Sequence, residues 1–302
     1  MWLLYWYDEF TRQKMNNDFS NYPLSNRHYG GLEKKIGILI DDFPYMLKFQ
    51  KNTPFGLRFN HISEYLGSHI FELLGFDVHR TFLGVYQGQN VVACKDFVIN
   101  GYQFVPFNDV GESTIEEDKE RYQYTYEDIV ELLENNKKLT NVEETIASFF
   151  EIFIVDALLG NFDRHGANWG FLKKNNKYKL APVFDNGSCL FPQMIDENEM
   201  AFIIHNEEEI NKRVYKFPTS QIKLRGNKSS YFEVISSLEF EECNRALLKI
   251  YPRINLSEIF DLINNIESLS ELHKKFYRSM IEQRFKKIIE FSYLKLRGKN
   301  NG

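Results

Sequence analysis

The chain has little cysteine, no excess of basic charge and no long apolar run, and each shortage removes a class of protein. Three cysteines, Cys94, Cys189 and Cys243, are scattered through 302 residues with no Cys-x-x-Cys pair and no metal-ligand spacing. That pattern fits reduced thiols in a cytoplasm better than a disulfide framework. Acidic side chains outnumber basic ones, 42 to 37, and the net charge of −5 argues against a protein devoted to nucleic acid. Lysine and arginine cluster only locally, at Lys173, Lys174, Lys177 and Lys179 and at Lys223, Arg225 and Lys228, as in solvated turns. Met1 to Tyr7 is apolar but lacks a basic flank and meets Asp8 and Glu9 at once, so it is neither a signal peptide nor a membrane span. Internal repeats and low-complexity blocks are also missing.

What is present is a globular chain, 43% hydrophobic, whose 27 phenylalanines predict an aromatic core. Residues up to about 26 show no clear period. Beyond them Gly30-Gly31 opens a turn, Ile36 to Ile40 reads as a strand, Asp41-Asp42 turns, and Tyr45 to Phe49 returns as a strand carrying Lys48. A glycine turn lets backbone N–H groups approach phosphates, and a lysine on the following strand can meet them. Ile62 to Leu74 has helical period, with Gly75 as a stop signal. Glu64 falls off its apolar stripe, and either faces solvent or points into a cleft as the partner of Lys48. His69 lies on the stripe and reads as a packed core histidine. Val78 to Tyr86 and Asn90 to Phe97 form a hairpin around Gln87-Gly88-Gln89. Its second strand turns polar at Lys95 and Asp96. The segment Lys95, Asp96, Phe97 is either a plain sheet edge or a hinge whose backbone reads adenine.

After Asn100 the pattern shifts from strands to helices. An acidic stretch over 108–121 precedes a helix over Tyr126 to Asn135. Glu143 to Leu159 is apolar on nearly every side, as a helix buried at the centre of a domain would be. Asp156 lies inside it and needs partners; the loop that follows offers Arg164 and His165. Residues 188–230 are poorly patterned. Helices resume over Tyr231 to Ile250, Leu256 to Ile266 and Leu272 to Leu296, and the basic tail from Lys295 to Lys299 is expected to fray.

The loop after the buried helix carries the chemistry. Asp163 and Asn168 stand five positions apart in Gly160-Asn161-Phe162-Asp163-Arg164-His165-Gly166-Ala167-Asn168-Trp169-Gly170. Two apolar runs around an Asn-rich turn then predict a hairpin that returns Asp185 to the neighbourhood of Asn168. Phosphoryl transfer of kinase type uses one Asp to accept the proton of the attacking hydroxyl, an Asn five residues on to hold magnesium, and a further Asp to hold the metal on the phosphates. Asp163 is therefore the catalytic candidate, with His165 beside it as a second, and Asn168 and Asp185 are the metal ligands. Gly30, Gly31, Lys48, Glu64, Lys95, Asp96 and Phe97 are the candidate nucleotide-binding residues.

These motifs, with Tyr45-Met46-x-Lys48-Phe49, Ser63-Glu64-Tyr65 and Ala181-Pro182-x-Phe184-Asp185-x-Gly187, resemble the kinase core of HipA-like serine/threonine kinases, most of all the cell-translocating kinase (CtkA) branch. The resemblance implies an α+β, bilobal protein-kinase-like fold, with a β-rich N-lobe over residues 1–97 and a helical C-lobe over 98–302. It also implies ATP and magnesium as cofactors, a Ser or Thr acceptor on a protein substrate or on the chain itself, and an antitoxin-like regulator. A monomeric, cytoplasmic protein is expected. Two departures stand out. The Gly30-Gly31 loop holds no serine, although Ser25 is close, and Asn186 replaces the Phe of the Asp-Phe-Gly triplet, so switching by that Phe is not expected. The Asp-Arg-His-x-x-Asn order also resembles phosphoinositide kinases, which makes a lipid kinase the enzymatic rival. A catalytically silent toxin–antitoxin module is the rival of another class. The net acidic charge and the lack of a long basic amphipathic helix weigh against docking on an anionic membrane.

Overall fold

Alternation decides the first half of the chain. In the computed structural model, which describes residues 17–30, 34–109, 124–125, 130, 141–224 and 227–300, five strands form one sheet. They are β1 (Asn17–Asp18), β2 (Lys35–Ile40), β3 (Phe43–Phe49), β6 (Thr81–Tyr86) and β7 (Gln89–Lys95), in the order β1-β6-β7-β3-β2. A separate small hairpin pairs β4 (Asn52–Thr53) with β5 (Gly56–Leu57). Asp41 and Asp42 close β2 onto β3 with φ of 49° and 64°, a left-handed pair that suits the twist of a two-residue hairpin. Successive side chains take opposite faces. Leu47 and Phe49 join Phe19, Ile38, Val91 and Ala93 in a cluster on one face, while Leu83, Val92 and Cys94 pack on the other. Lys48 is in register with Val92 and takes that second face.

Helix α1 (Asn60–Leu73) covers the second face. Its buried side includes Ser63, Glu64, Gly67 and Ser68 as well as Ile62, Leu66 and Ile70, whereas Leu73 is 42% exposed. The helix is wedged between the sheet and the rest of the chain, so a polar flank is turned inward too. The second hairpin begins later than its apolar run suggested. Val78 makes an isolated bridge to Val183, and β6 starts at Thr81.

Beyond the sheet, β8 (Gln103–Pro106) was not expected and is an edge strand on β10 (Gly170–Lys174), which pairs in turn with β11 (Lys177–Leu180). Gly170 is needed there, because a Cβ would stand 2.3 Å from the Val105 carbonyl oxygen. Asn175 and Asn176, both left-handed, close the predicted hairpin. Helix α2 (Val142–Leu159) starts at the Asn141 cap, is buried along most of its length and ends at Gly160, whose φ of 64° makes the left-handed cap. The acidic stretch 110–121 and most of the helix expected over 126–135 lie outside the described residues.

The segment read as unpatterned contains α3 (Glu197–Ile204), α4 (Glu207–Asn211), β12 (Thr219–Leu224) and β13 (Asn227–Ser230), with β9 (Tyr124–Thr125) parallel to β12. The helix expected over Tyr231 to Ile250 is two, α5 (Tyr231–Ser237) and α6 (Glu241–Ile250), parted at left-handed Leu238. Helices α7 (Leu256–Asn264), α8 (Glu271–Arg284) and α9 (Phe291–Asn300) follow. The basic tail is helical and not frayed up to Asn300: Leu296 is buried and Lys295 Nζ donates to the Ser236 carbonyl at 2.6 Å. A single apolar cluster runs from α1 through α2 into these helices. Among the described residues no helix is long and apolar enough to cross a membrane.

Candidate active site

Helix α2 delivers the loop, and Arg164 fixes it. Asp156, 1% exposed, accepts Arg164 Nε at 2.9 Å and Nη2 at 3.0 Å, together with Asn161 Nδ2 at 2.8 Å. A two-pronged pair of this kind sets orientation as well as charge. Arg164 Nη1 reaches onward to the carbonyls of Asn168 and Phe184. The side chain thereby fastens the end of the hairpin to the loop. Burial opposes the Arg164 charge, but Asp156 outweighs it and holds the pKa above its ordinary value. His165, the other expected partner of Asp156, is turned elsewhere. Its Nδ1 accepts the Ala167 N–H, and its Nε2 lies 3.7 Å from Asp163 Oδ1.

Asp163 stands half exposed at the mouth of this loop, its N–H on Asn161 Oδ1 at 3.1 Å. Asn168 donates Nδ2 to the Asp163 carbonyl at 2.8 Å, so the oxygen of that amide is the atom left for a ligand. Tyr231 Oη donates to the Asn161 carbonyl and Gln221 Nε2 to that of Phe162, bracing the loop from below.

Across the site, Lys48 Nζ lies 2.7 Å from Glu64 Oε2 and 2.7 Å from Asp185 Oδ1. Of the two orientations open to Glu64, the inward one is taken, and the carboxylate is 1% exposed. Its Oε1 is 2.9 Å from His79 Nε2 and accepts the Asn186 N–H at 2.9 Å. Burial works against both charges. Asp185 and Glu64 nevertheless hold Lys48 well above its ordinary pKa, and Lys48 and His79 hold Glu64 well below the carboxylate range. Asp185 has φ of 58° and a side chain 37% exposed, so it faces both Lys48 and solvent. Glu64, His79 and Cys94 also bring ligand-type atoms within 4.8 Å of one another. The Lys48 ammonium is in hydrogen-bond contact with that same glutamate, which gives the cluster the character of an ion pair and not of a metal site.

The remaining candidates lie along the strap after β7. Lys95 places its ammonium 4.1 Å from the Phe43 ring centroid and gives its N–H to Arg80. The Asp96 carboxylate holds Arg27 Nη1 at 2.5 Å and Tyr29 Oη at 3.1 Å, and its N–H is bonded to Pro44. The Phe97 ring packs 5.3 Å from that of Phe184, beside Asp185. Gly30 accepts Lys35 Nζ at 2.7 Å, and Gly31 lies outside the described residues. Sequence reasoning missed His79, Ser68 and Asn161. It saw Asn186 only as a departure from a motif. None carries a periodic signal: the side-chain partners of Ser68, His79 and Asn186 come from other segments, and Asn161 sits in an irregular loop whose contacts to Asp156 and Asp163 follow no period.

With this geometry in view, the chain was compared with known proteins. The family model of the HipA-like C-terminal domain matches residues 28–247. The serine/threonine-protein kinase CtkA of Helicobacter pylori (strain J99) is 36% identical over 273 residues, 88% of this chain and 83% of that protein. The crystal structure of a Helicobacter pylori proinflammatory kinase CtkA superposes with a TM-score of 0.83 at 34% identity, covering 94% of this chain and 99% of that one. HipA of Shewanella oneidensis, solved with HipB and operator DNA, gives a TM-score of 0.49 at 13% identity over 91% of this chain and 68% of that one.

Proposed function

Because the chain belongs to the family of HipA-like C-terminal domains, we propose that it works as a serine/threonine-protein kinase of HipA/CtkA type, taking its phosphoryl group from ATP with magnesium. The observation that carries the reading is the Lys48 ammonium, 2.7 Å from both Glu64 and Asp185, opposite a loop that presents Asp163 and Asn168. Lys48, held charged by two carboxylates, is suited to meeting nucleotide phosphates. Asp163, half exposed, is suited to receiving the proton of an incoming hydroxyl.

The donor set fits magnesium, which takes a few hard oxygens and keeps several waters. Asn168 would offer its amide oxygen and Asp185 a carboxylate oxygen. The metal, when bound, supplies charge neutralisation on the phosphates. The chain's own contribution is positioning. Arg164 ties the loop to the hairpin, and Asn168 fixes the backbone that carries Asp163. His165 stands beside that aspartate, its Nε2 3.7 Å from Asp163 Oδ1.

We place the lobe division near residues 97 and 98, with nucleotide entering between the sheet and the Asp163 loop. Adenine would lie against the strap at Lys95 to Phe97. The three buried, unpaired thiols support a reducing compartment. An antitoxin-like regulator and a monomeric state are carried over from the family alone. Mass spectrometry of the protein after incubation with ATP and magnesium tests the proposal. Phosphate on serine or threonine that disappears with EDTA is expected. Transfer undiminished by EDTA would defeat the metal assignment.

A further inference from the structure

We infer that Asn186 is a positioning residue that joins the Asp163 loop to helix α1, holding Glu64 and Asp185 in mutual register; the inference rests on the kinase reading above. Asn186 is fully buried and its polar atoms are in use. Oδ1 accepts Arg164 Nη2 at 2.6 Å, Nδ2 donates to Ser68 Oγ at 3.0 Å, and the backbone N–H donates to Glu64 Oε1 at 2.9 Å. Arg164 belongs to the catalytic loop, whereas Ser68 and Glu64 sit one helical turn apart on α1. One amide therefore touches both sides of the site, and it directly follows Asp185. His79 Nε2 completes the network, 3.0 Å from Ser68 Oγ and 2.9 Å from Glu64 Oε1.

A second observation points the same way. Gly67 lies inside α1, where glycine is disfavoured. A Cβ at that position would stand 2.6 Å from Asn186 Cβ and 3.4 Å from Cys189 Sγ. The helix thus admits the Asn186 segment to close approach. The chain after it is fastened too: Cys189 N–H donates to Asn186, Leu190 N–H to Leu159, and Phe59 N–H to Pro192. In kinases with Asp-Phe-Gly, an apolar ring at this position moves between two packings to set active and inactive states. An amide bonded to an arginine and a serine cannot leave without stranding buried polar groups. The position that elsewhere switches here fastens.

The test compares wild type with Asn186→Leu, Ser68→Ala, the double variant and Gly67→Ala. Each is assayed well below its own melting temperature, with rates expressed per folded protein. Asn186→Leu is expected to lower kcat on the order of 10- to 100-fold, as small misplacements of reacting groups do, and to raise KM for ATP. Ser68→Ala should shift both the same way by less, and the double variant should be no worse than Asn186→Leu alone. Hydrogen exchange should quicken in both segments 60–73 and 160–170. Gly67→Ala should quicken segment 60–73 with Asn186 intact, which keeps the idea testable if Asn186→Leu fails to fold. A lower melting temperature with unchanged kcat, KM and exchange would reduce Asn186 to a packing residue and overturn the inference. So would effects of Ser68→Ala and Asn186→Leu that simply add. Coupled exchange in a wild type that transfers no phosphate would instead sink the kinase reading and leave the coupling in place.

Discussion

Replacing Lys48 by methionine keeps the apolar stem and removes only the ammonium 2.7 Å from Glu64 and from Asp185. Removing one partner of a buried ion pair costs about 3–5 kcal/mol, because the other charge is left in a poor solvent. Glu64 is 1% exposed, so it feels that penalty. It keeps His79 Nε2 and the Asn186 N–H on Oε1, each at 2.9 Å, which places the loss at the low end, about 3 kcal/mol. Asp185, with a side chain 37% exposed, turns to water and adds little. A loss of that size corresponds to a fall of about 5 °C in Tm for a chain of this length. Thermal unfolding with and without ATP and magnesium is the assay. Nucleotide should raise the Tm of the wild type and leave that of the variant nearly unmoved. Adding Glu64→Gln to Lys48→Met should recover much of the loss, since a neutral amide has no need of the cation. A double variant destabilised by the full sum of its single changes would refute the reasoning.

Other consequences are open to measurement. Asp185→Ala should abolish phosphoryl transfer while leaving the far-ultraviolet circular dichroism unchanged; retained transfer would contradict the role given to Asp185. His61 and His273 are buried, and burial pulls each from 6.5 to about 4. The unfolded chain binds those protons first, so stability is full above about pH 6.5, falls as the pH drops to about 4, and levels off below, by about 3 kcal/mol for each histidine. Urea titrations at several pH values should show that slope, shallower in His273→Phe; identical slopes would count against it. Gly170→Ala should destabilise by about 1–3 kcal/mol, since its Cβ would meet the Val105 carbonyl at 2.3 Å. An unchanged unfolding midpoint would contradict the contact.

Local chemistry made part of this molecule legible in advance. The Asn175-Asn176 turn closes a hairpin that its flanking apolar runs announce, and Gly160 ends a helix apolar on nearly all sides. Lys48 could be put on a strand because Leu47 and Phe49 alternate with it. Strand β12 was hidden because polar Ser220 shares the buried face with Ile222, so no apolar alternation shows. Edge strand β8 is short and ends at Pro106, which also masks it. Glu64 could not be oriented from its position on the helix, since what turns it inward is Lys48, 16 residues away in the chain. The partners of Asn186 lie still further off, 118 residues away at Ser68 and 122 at Glu64, and no local pattern encodes them.

The most direct test of the kinase reading is Asp163→Asn with labelled ATP. Wild type and variant are incubated with magnesium, a generic basic protein and phosphoinositide vesicles, and the acceptors are identified. Wild type should label serine or threonine of protein, and the variant should turn over ~10²–10⁴-fold more slowly with little change in ATP affinity. Label on lipid with none on protein, or a variant that transfers as fast as wild type, would contradict it.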